Sequence, residues 1–248
     1  MDTVKPMEQK TMTFWEHVAE LRWRLLVAAL ALVAGTVACF FFVEPAAEFI
    51  SRPVGDMQFV YLSPPELFMS YVRIALLGGL VVASPIILFE LWLFVRPGLS
   101  RRERLSLLAG LFFGAVFFAV GASFSFFVIV PFSLRFFLQY QNEAVKAMFS
   151  FSEYVGFIGS MVISFGAAFE LPIVVSFLAG LGVVTGTGLA RVRGVAVILI
   201  FVAAAVITPP DVVSQVLLGV PLVLLFELSI GLAKGQEKRR IKRLGLED

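Results

Sequence analysis

The stretch LFVRPGLSRRERLSLL, Leu93 to Leu108, decides the fold. On both sides of it the chain is almost continuously apolar. Within it lie Arg96, Arg101, Arg102, Glu103 and Arg104, with Pro97 and Gly98 breaking the chain direction. A short basic loop between two long apolar helices reads as the cytoplasmic turn of a multi-span membrane protein. Composition agrees. Of 248 residues, 59% are hydrophobic and only 15% charged, whereas a soluble domain carries about 25% charged residues. The mean hydropathy is +0.94.

Working outward, the apolar run before the loop predicts a span over residues 70–95, with Arg73 near its start and Glu90 near its end. The run after it starts near Leu105 and could continue to Leu138. At 1.5 Å per residue that is about 50 Å, longer than a ~30 Å bilayer core, so Pro131 is expected to kink or break it. Upstream, Phe14, Val18, Leu21 and Leu25 recur at helical spacing and predict an amphipathic surface helix over 14–26. A first span follows over 25–43, ended by Pro45, and residues 44–69 form an extramembrane loop. The polar start, MDTVKPMEQKTM, predicts that no signal peptide is cleaved and that this span is retained. Downstream, a fourth span is expected over 154–184, interrupted at Phe169-Glu170-Leu171-Pro172. The last two runs are short: Val195 to Ile207, about 20 Å of helix, and Val212 to Ala233, interrupted by Glu227. The expectation is an all-α membrane protein of six transmembrane helices in a single domain. Residues 1–24 would be a cytoplasmic tail and interfacial helix, 25–233 the bundle, and 234–248 a basic cytoplasmic tail.

Lysine and arginine set the expected orientation. With the N-terminus inside, the inner segments hold Lys5, Lys10, Arg22 and Arg24; Arg96, Arg101, Arg102 and Arg104; Arg191 and Arg193; and six more from Lys234 to Arg243. Only Arg52, Arg73, Arg135 and Lys146 fall toward the outer side. This 16-to-4 split of the 20 basic residues predicts that both termini are cytoplasmic.

A few polar residues stand out against the apolar background. Glu170 lies midway along the fourth span, where an acid costs about 2.5–3.5 kcal/mol on insertion scales. It reads either as a protonated side chain bonded within the bundle, or as the polar floor of a groove or a site for a partner helix. Pro172 beside it leaves the carbonyl of Ala168 without its helical donor. Glu20 and Glu103 each read either as a surface ion pair with neighbouring arginines or as a carboxylate offered to a ligand's guanidinium, since carboxylates are what bidentate arginine recognition needs. Thr208, Ser214 and Gln215 lie near the outer end of the last hairpin, where polar groups can bond another transmembrane helix. Asp211 reads as an ordinary helix N-cap. Arg73 reads as snorkelling to the outer interface. His17, the only histidine, lies outside the spans and reads as structural rather than catalytic. With one His and one Cys, Cys39, no His/Cys metal site and no intrachain disulfide is expected.

Five segments together resemble the TatC family, the multi-span receptor of the twin-arginine protein translocase. HVAELRWRLL (17–26) resembles the family's H-L-x-E-L-R-x-R-L at the start of the first span. SPPELF (63–68) resembles its S-P-x-E-x-x-F. ASPIILFELWLFVRPGLSRRER (83–104) resembles its A-S-P-x-x-x-Y-Q-x-W-x-F-x-x-P-x-L-x-x-x-E-[RK] run. FGAAFELPIV (165–174) and TPPDVVSQVLLGVPLVLLFE (208–227) resemble its fourth and last spans. Each is weak alone; in order and at this spacing, over about Phe14 to Ala233, they are specific.

The resemblance implies a cupped, glove-like bundle with short fifth and sixth helices. It implies a receptor that binds the twin-arginine signal peptides of folded precursors and passes them to transport driven by the protonmotive force. The matching acids are Glu20 and Glu103, and Phe94, Pro97, Arg102 and Arg104 would line or shape the same site. Glu170 would lie in the concave intramembrane groove. Thr208 and Gln215 would contact TatA- and TatB-type single-span subunits. Self-association in the complex and a bacterial or archaeal plasma membrane are implied too; no cofactor, enzymatic activity or nucleic-acid partner is expected. Two departures are visible: Phe89 and Glu90 stand where the family has Tyr and Gln. Glu90 adds a carboxylate and is expected to supplement arginine binding, while Arg101 adds local repulsion. The rival reading is a proton-coupled small-solute transporter using Glu170, which would normally show repeated halves and several midplane polar groups. An intramembrane protease is disfavoured by the lack of H-E-x-x-H and G-x-S-x-G.

Overall fold

In the computed structural model, which describes residues 14–55, 59–61, 63–98, 101–139, 148–207 and 212–244, the first 27 helical residues are one element. Helix α1 (Phe14–Phe40) is continuous, so the expected surface helix and first span are a single rod. Nothing in EHVAELRWRLLVAAL breaks a helix, and both parts are rich in good helix formers. The chain turns at Phe41–Phe42, not at Pro45. Pro45 instead sits in the first turn of α2 (Val43–Ser51), where its missing N–H costs nothing. A 3₁₀ turn (Arg52–Val54) follows, closed by Gly55 at φ 68°, a left-handed conformation that favours glycine.

Helix α3 (Pro64–Val95) starts six residues earlier than expected, with Pro64 and Pro65 in its first turn. It carries Pro85 internally without ending. Pro85 leaves the Val81 carbonyl without its helical donor, and the Ser84 hydroxyl donates to that carbonyl at 2.8 Å. Neighbouring serine re-satisfies the backbone where no water can.

The long third run does not break at Pro131. Helix α4 (Arg101–Phe124) passes through one π-helical turn, Ser125–Ile129, into α5 (Val130–Leu138). The wider turn absorbs the register change just upstream of the proline. Helix α6 (Phe151–Leu181) runs straight through Phe169–Pro172 and ends at Gly182, φ 78°; the expected interruption is absent. Short α7 (Gly186–Arg191) leads into α8 (Arg193–Ile207). Helix α9 (Val212–Leu244) continues through Glu227 and into the basic tail. Among the described residues, five helices are long and apolar enough to cross a membrane, and one shorter apolar helix, Arg193–Val206, joins them.

Helix α1 packs on α3, α4 on α6, and α6 and α8 on α9. The α1–α3 crossing is tight: a Cβ on Gly79 would lie 2.5 Å from the backbone nitrogen of Thr36. At the α4–α6 crossing, a Cβ on Gly121 would lie 2.5 Å from the Phe165 carbonyl oxygen. Small residues let backbones approach closely, which is the main attraction between helices in lipid. The core is filled by Phe165, Met161, Leu218, Val130 and Val155, while large apolar side chains such as Leu30, Val81, Phe112 and Leu224 face outward, as a lipid-facing surface requires.

At one end of the bundle, two short strands sequence reading did not foresee, β1 (Phe59–Val60) and β2 (Phe149–Ser150), pair in parallel. The Tyr154 hydroxyl donates to the Ile50 carbonyl at 2.7 Å, Phe49 stacks on Phe126, and Ser150 bonds Glu66. These contacts tie the segments around α2 to the start of α6.

Candidate functional site

At the opposite end from the strands, the first turns of α1 meet the last turns of α3. Glu20 and Arg24 lie four residues apart on α1 and so share a face. The α1–α3 crossing brings Glu90 to the same point. Arg24 bridges the two acids. Its Nε and Nη2 donate to Glu20 Oε1 at 2.9 and 2.5 Å, and its Nη1 donates to Glu90 Oε2 at 2.9 Å. The side chains are 19, 16 and 15% exposed for Arg24, Glu20 and Glu90, so this is a half-sheltered, charge-assisted cluster. Among the described residues, two carboxylates share one guanidinium, which leaves one negative charge over. The second oxygen of Glu20, Oε2, is buried and has no hydrogen-bond partner among the described residues.

Aromatic rings frame this cluster. His17, one turn before Glu20, stacks on Phe94 with centroids 4.3 Å apart and planes 11° from parallel. The His17 Nδ1 lies 3.8 Å from Glu20 Oε2, beyond hydrogen-bond distance. Arg96 lies over the Trp92 ring at 5.0 Å. Pro97 is exposed in the 3₁₀ turn Arg96–Gly98 that leaves α3.

The structure therefore brings together Glu20, Glu90 and Phe94 of the sequence-named residues. Glu103 and Arg102 lie in the first turn of α4, but their side chains fall outside the described residues; Arg104 beside them is half-buried. Sequence reading missed Arg24 as the bridge and His17 as the stacking partner. The signal was present: His17, Glu20 and Arg24 sit at i, i+3 and i+7, one face of a helix.

The remaining named residues lie elsewhere. Glu170 is half-buried in mid-α6 with no hydrogen-bond or ion-pair partner among the described residues. Close by along α6, Pro172, Ser176 and Phe177 help line an open cleft of about 730 Å³ between α4, α6 and α9. Gln215 donates from Nε2 to the Phe201 carbonyl at 2.9 Å, joining α9 to α8; Thr208 lies outside the described residues. Glu227 does not interrupt α9 but pairs with Arg193 at the start of α8, 2.6 Å apart. Among the described residues no group of His, Cys, Asp or Glu could hold a metal ion.

Long apolar helices, with paired acids gathered near the ends of two of them, define a multi-pass membrane protein. The family model described as Sec-independent protein translocase protein (TatC) matches residues 16–221. The Sec-independent protein translocase protein TatC of Desulforapulum autotrophicum is 38% identical over 228 residues, spanning 90% of this chain and 84% of its own. The protein of the same name from Helicobacter pylori is 39% identical over 218 residues, 88% of this chain and 86% of its own. A crystal structure described as the twin-arginine translocase receptor TatC superposes with TM-score 0.81 at 34% identity, covering 89% of this chain and 99% of that one. The chain belongs to the TatC family of Sec-independent protein translocase proteins. These comparisons lend the small-solute transporter reading around Glu170 no support.

Proposed function

We propose that this chain is the receptor of a twin-arginine translocase. It binds the signal peptides of folded precursors at the Glu20–Glu90 end of the bundle and recruits TatA- and TatB-type single-span subunits for transport driven by the protonmotive force. The observation that carries the reading is the excess carboxylate. Among the described residues, Glu20 and Glu90 meet across α1 and α3 with only Arg24 between them, and one oxygen of Glu20 is left without a donor. A buried unsatisfied carboxylate oxygen is costly unless something binds it, and a ligand guanidinium supplies the missing donors. Glu103, in the first turn of α4, contributes the second acid for an arginine pair. Glu90 supplements it by anchoring Arg24. The excess of basic residues at this end supports a cytoplasmic position for it and for both termini, in a bacterial or archaeal plasma membrane.

The rest of the chain supports the same activity. Glu170 forms the polar floor of the groove along which the peptide's apolar segment lies. The Thr208–Gln215 end of the α8–α9 hairpin receives the single-span subunits, with Gln215 keeping its carbonyl oxygen for a partner while its amide holds Phe201.

The test is peptide binding to the purified protein in nanodiscs, comparing an Arg-Arg signal peptide with its Lys-Lys version. Wild type is expected to bind Arg-Arg at least tenfold more tightly, and Glu20→Ala and Glu103→Ala to abolish that preference. Equal binding of both peptides, indifferent to either acid, would return the glutamates to surface ion pairs.

A further inference from the structure

Resting on the receptor reading above, we infer that His17 holds the position a ligand guanidinium takes, and that binding of an arginine displaces His17 from Phe94. Glu20 presents two edges. Arg24 takes Oε1 with two N–H groups. Oε2 is buried yet bonded to nothing among the described residues, and His17 is what stands against it, Nδ1 at 3.8 Å. The imidazole thus lies beside the carboxylate oxygen without satisfying it. At the same time it lies flat on Phe94, 4.3 Å away and 11° from parallel. A planar cation-binding slot is defined by these two walls: an aromatic face on one side and an acceptor oxygen at the edge.

That slot fits arginine better than it fits histidine or lysine. A guanidinium is planar, stacks on aromatic faces, and carries donors in its own plane that reach a carboxylate at about 2.8 Å while the stack is kept. An ammonium can sit over the ring but has no plane to stack and no in-plane fork for the carboxylate, so it gains less from the same slot. His17 is 43% exposed, which leaves it room to swing out. Phe94 and the free edge of Glu20 together then select arginine over lysine, and His17 acts as a replaceable cover that lowers affinity for every ligand that must displace it.

His17 is the only histidine in the chain, so its side-chain resonance is unambiguous. The experiment uses the full chain in nanodiscs with labelled histidine, titrated with the Arg-Arg and Lys-Lys peptides, while peptide anisotropy measures binding separately. The stacked ring is expected to resonate upfield in the free protein and to move to the position of an exposed imidazole at Arg-Arg saturation. His17→Ala is expected to bind the Arg-Arg peptide about two- to fivefold more tightly, the size of one weak stacking contact removed from the competing state. Phe94→Leu is expected to reduce the Arg-Arg preference over Lys-Lys by a similar factor. A His17 resonance unmoved at saturation, or weaker Arg-Arg binding by His17→Ala, overturns the inference while leaving the receptor reading intact. Anisotropy showing no Arg-Arg preference in wild type overturns the receptor reading itself, and this one with it.

Discussion

At the scale of the residue, the decisive object is Arg24 between Glu20 and Glu90. Removing one partner of a sheltered ion pair costs more than the pair's net worth, because the other charges stay where they are. Arg24→Gln leaves two carboxylates facing each other with one neutral amide between them. The expected result is about 1–2 kcal/mol of lost stability, read as a lower thermal midpoint in detergent. Glu90→Gln is expected to behave differently. It keeps a hydrogen-bond acceptor for Arg24 and removes the excess charge, so stability holds while affinity for an Arg-Arg peptide falls about two- to fivefold, on the scale of one exposed-to-half-buried charge interaction. Unchanged affinity in Glu90→Gln would show that the second acid of the cluster does not reach the ligand. The contrast with Glu227 is instructive. Its pair with Arg193 is 39 and 52% exposed on the two sides, more open than the Arg24 cluster, and matches one acid to one base with no charge left over.

At the scale of the element, the site depends on two helices crossing at glycine. A side chain at Gly79 would meet the Thr36 backbone, which cannot rotate away, so α1 and α3 would have to separate. Gly79→Leu is therefore expected to lose the folded protein or to cost more than about 3 kcal/mol by overpacking, whereas Gly110→Ala, with nothing within 4 Å of the new methyl, should be neutral. Thermal unfolding of the two variants side by side checks it; equal stability would mean the crossing yields freely. Proline in α3 gives a second case. Ser84→Ala removes the donor that satisfies the Val81 carbonyl beside Pro85, and Pro85→Ala restores the backbone donor. A double-mutant cycle is expected to show coupling of about 0.5–1 kcal/mol. Element boundaries were the part of the fold least legible in the sequence. Apolar runs located the long helices, because lipid demands them. They could not show that α1 is one rod, since an amphipathic start and an apolar continuation have the same backbone. Nor could they show that Pro131 is met by a π-helical turn and Pro172 carried within a continuous helix; whether a proline ends a helix depends on which neighbours re-satisfy the backbone, and those are tertiary. Glu20 and Glu90 were legible as acids near helix ends, but their meeting through Arg24 was not, because sequence spacing is silent across 66 positions.

At the scale of the whole molecule, the bundle is uneven in length, and that asymmetry bears on how a folded cargo could pass. Helices α3 and α6 have 32 and 31 residues, about 47 Å of helix each, ample for a ~30 Å hydrocarbon core even when tilted. Helix α8 has 15 residues, about 22 Å. Its start is held by the Arg193–Glu227 pair, and its middle is held to α9 by Gln215 on the Phe201 carbonyl. It is not free to slide and share its deficit between the two faces. A short helix fixed in this way can be accommodated by thinning the bilayer beside it, at a cost of fractions of a kcal/mol per Å. A locally thin bilayer would lower the barrier to moving a polar protein across at that place. Inserting one helical turn of apolar residues after Ile207 would lengthen α8 by about 5.4 Å and relieve much of the mismatch without shifting the Phe201–Gln215 contact or touching the α1–α3 site. The expected outcome is Arg-Arg peptide binding equal to wild type together with a severalfold loss of precursor transport into inverted vesicles. Full transport by the lengthened protein would mean that the short helix serves packing against α9 and not the membrane around it.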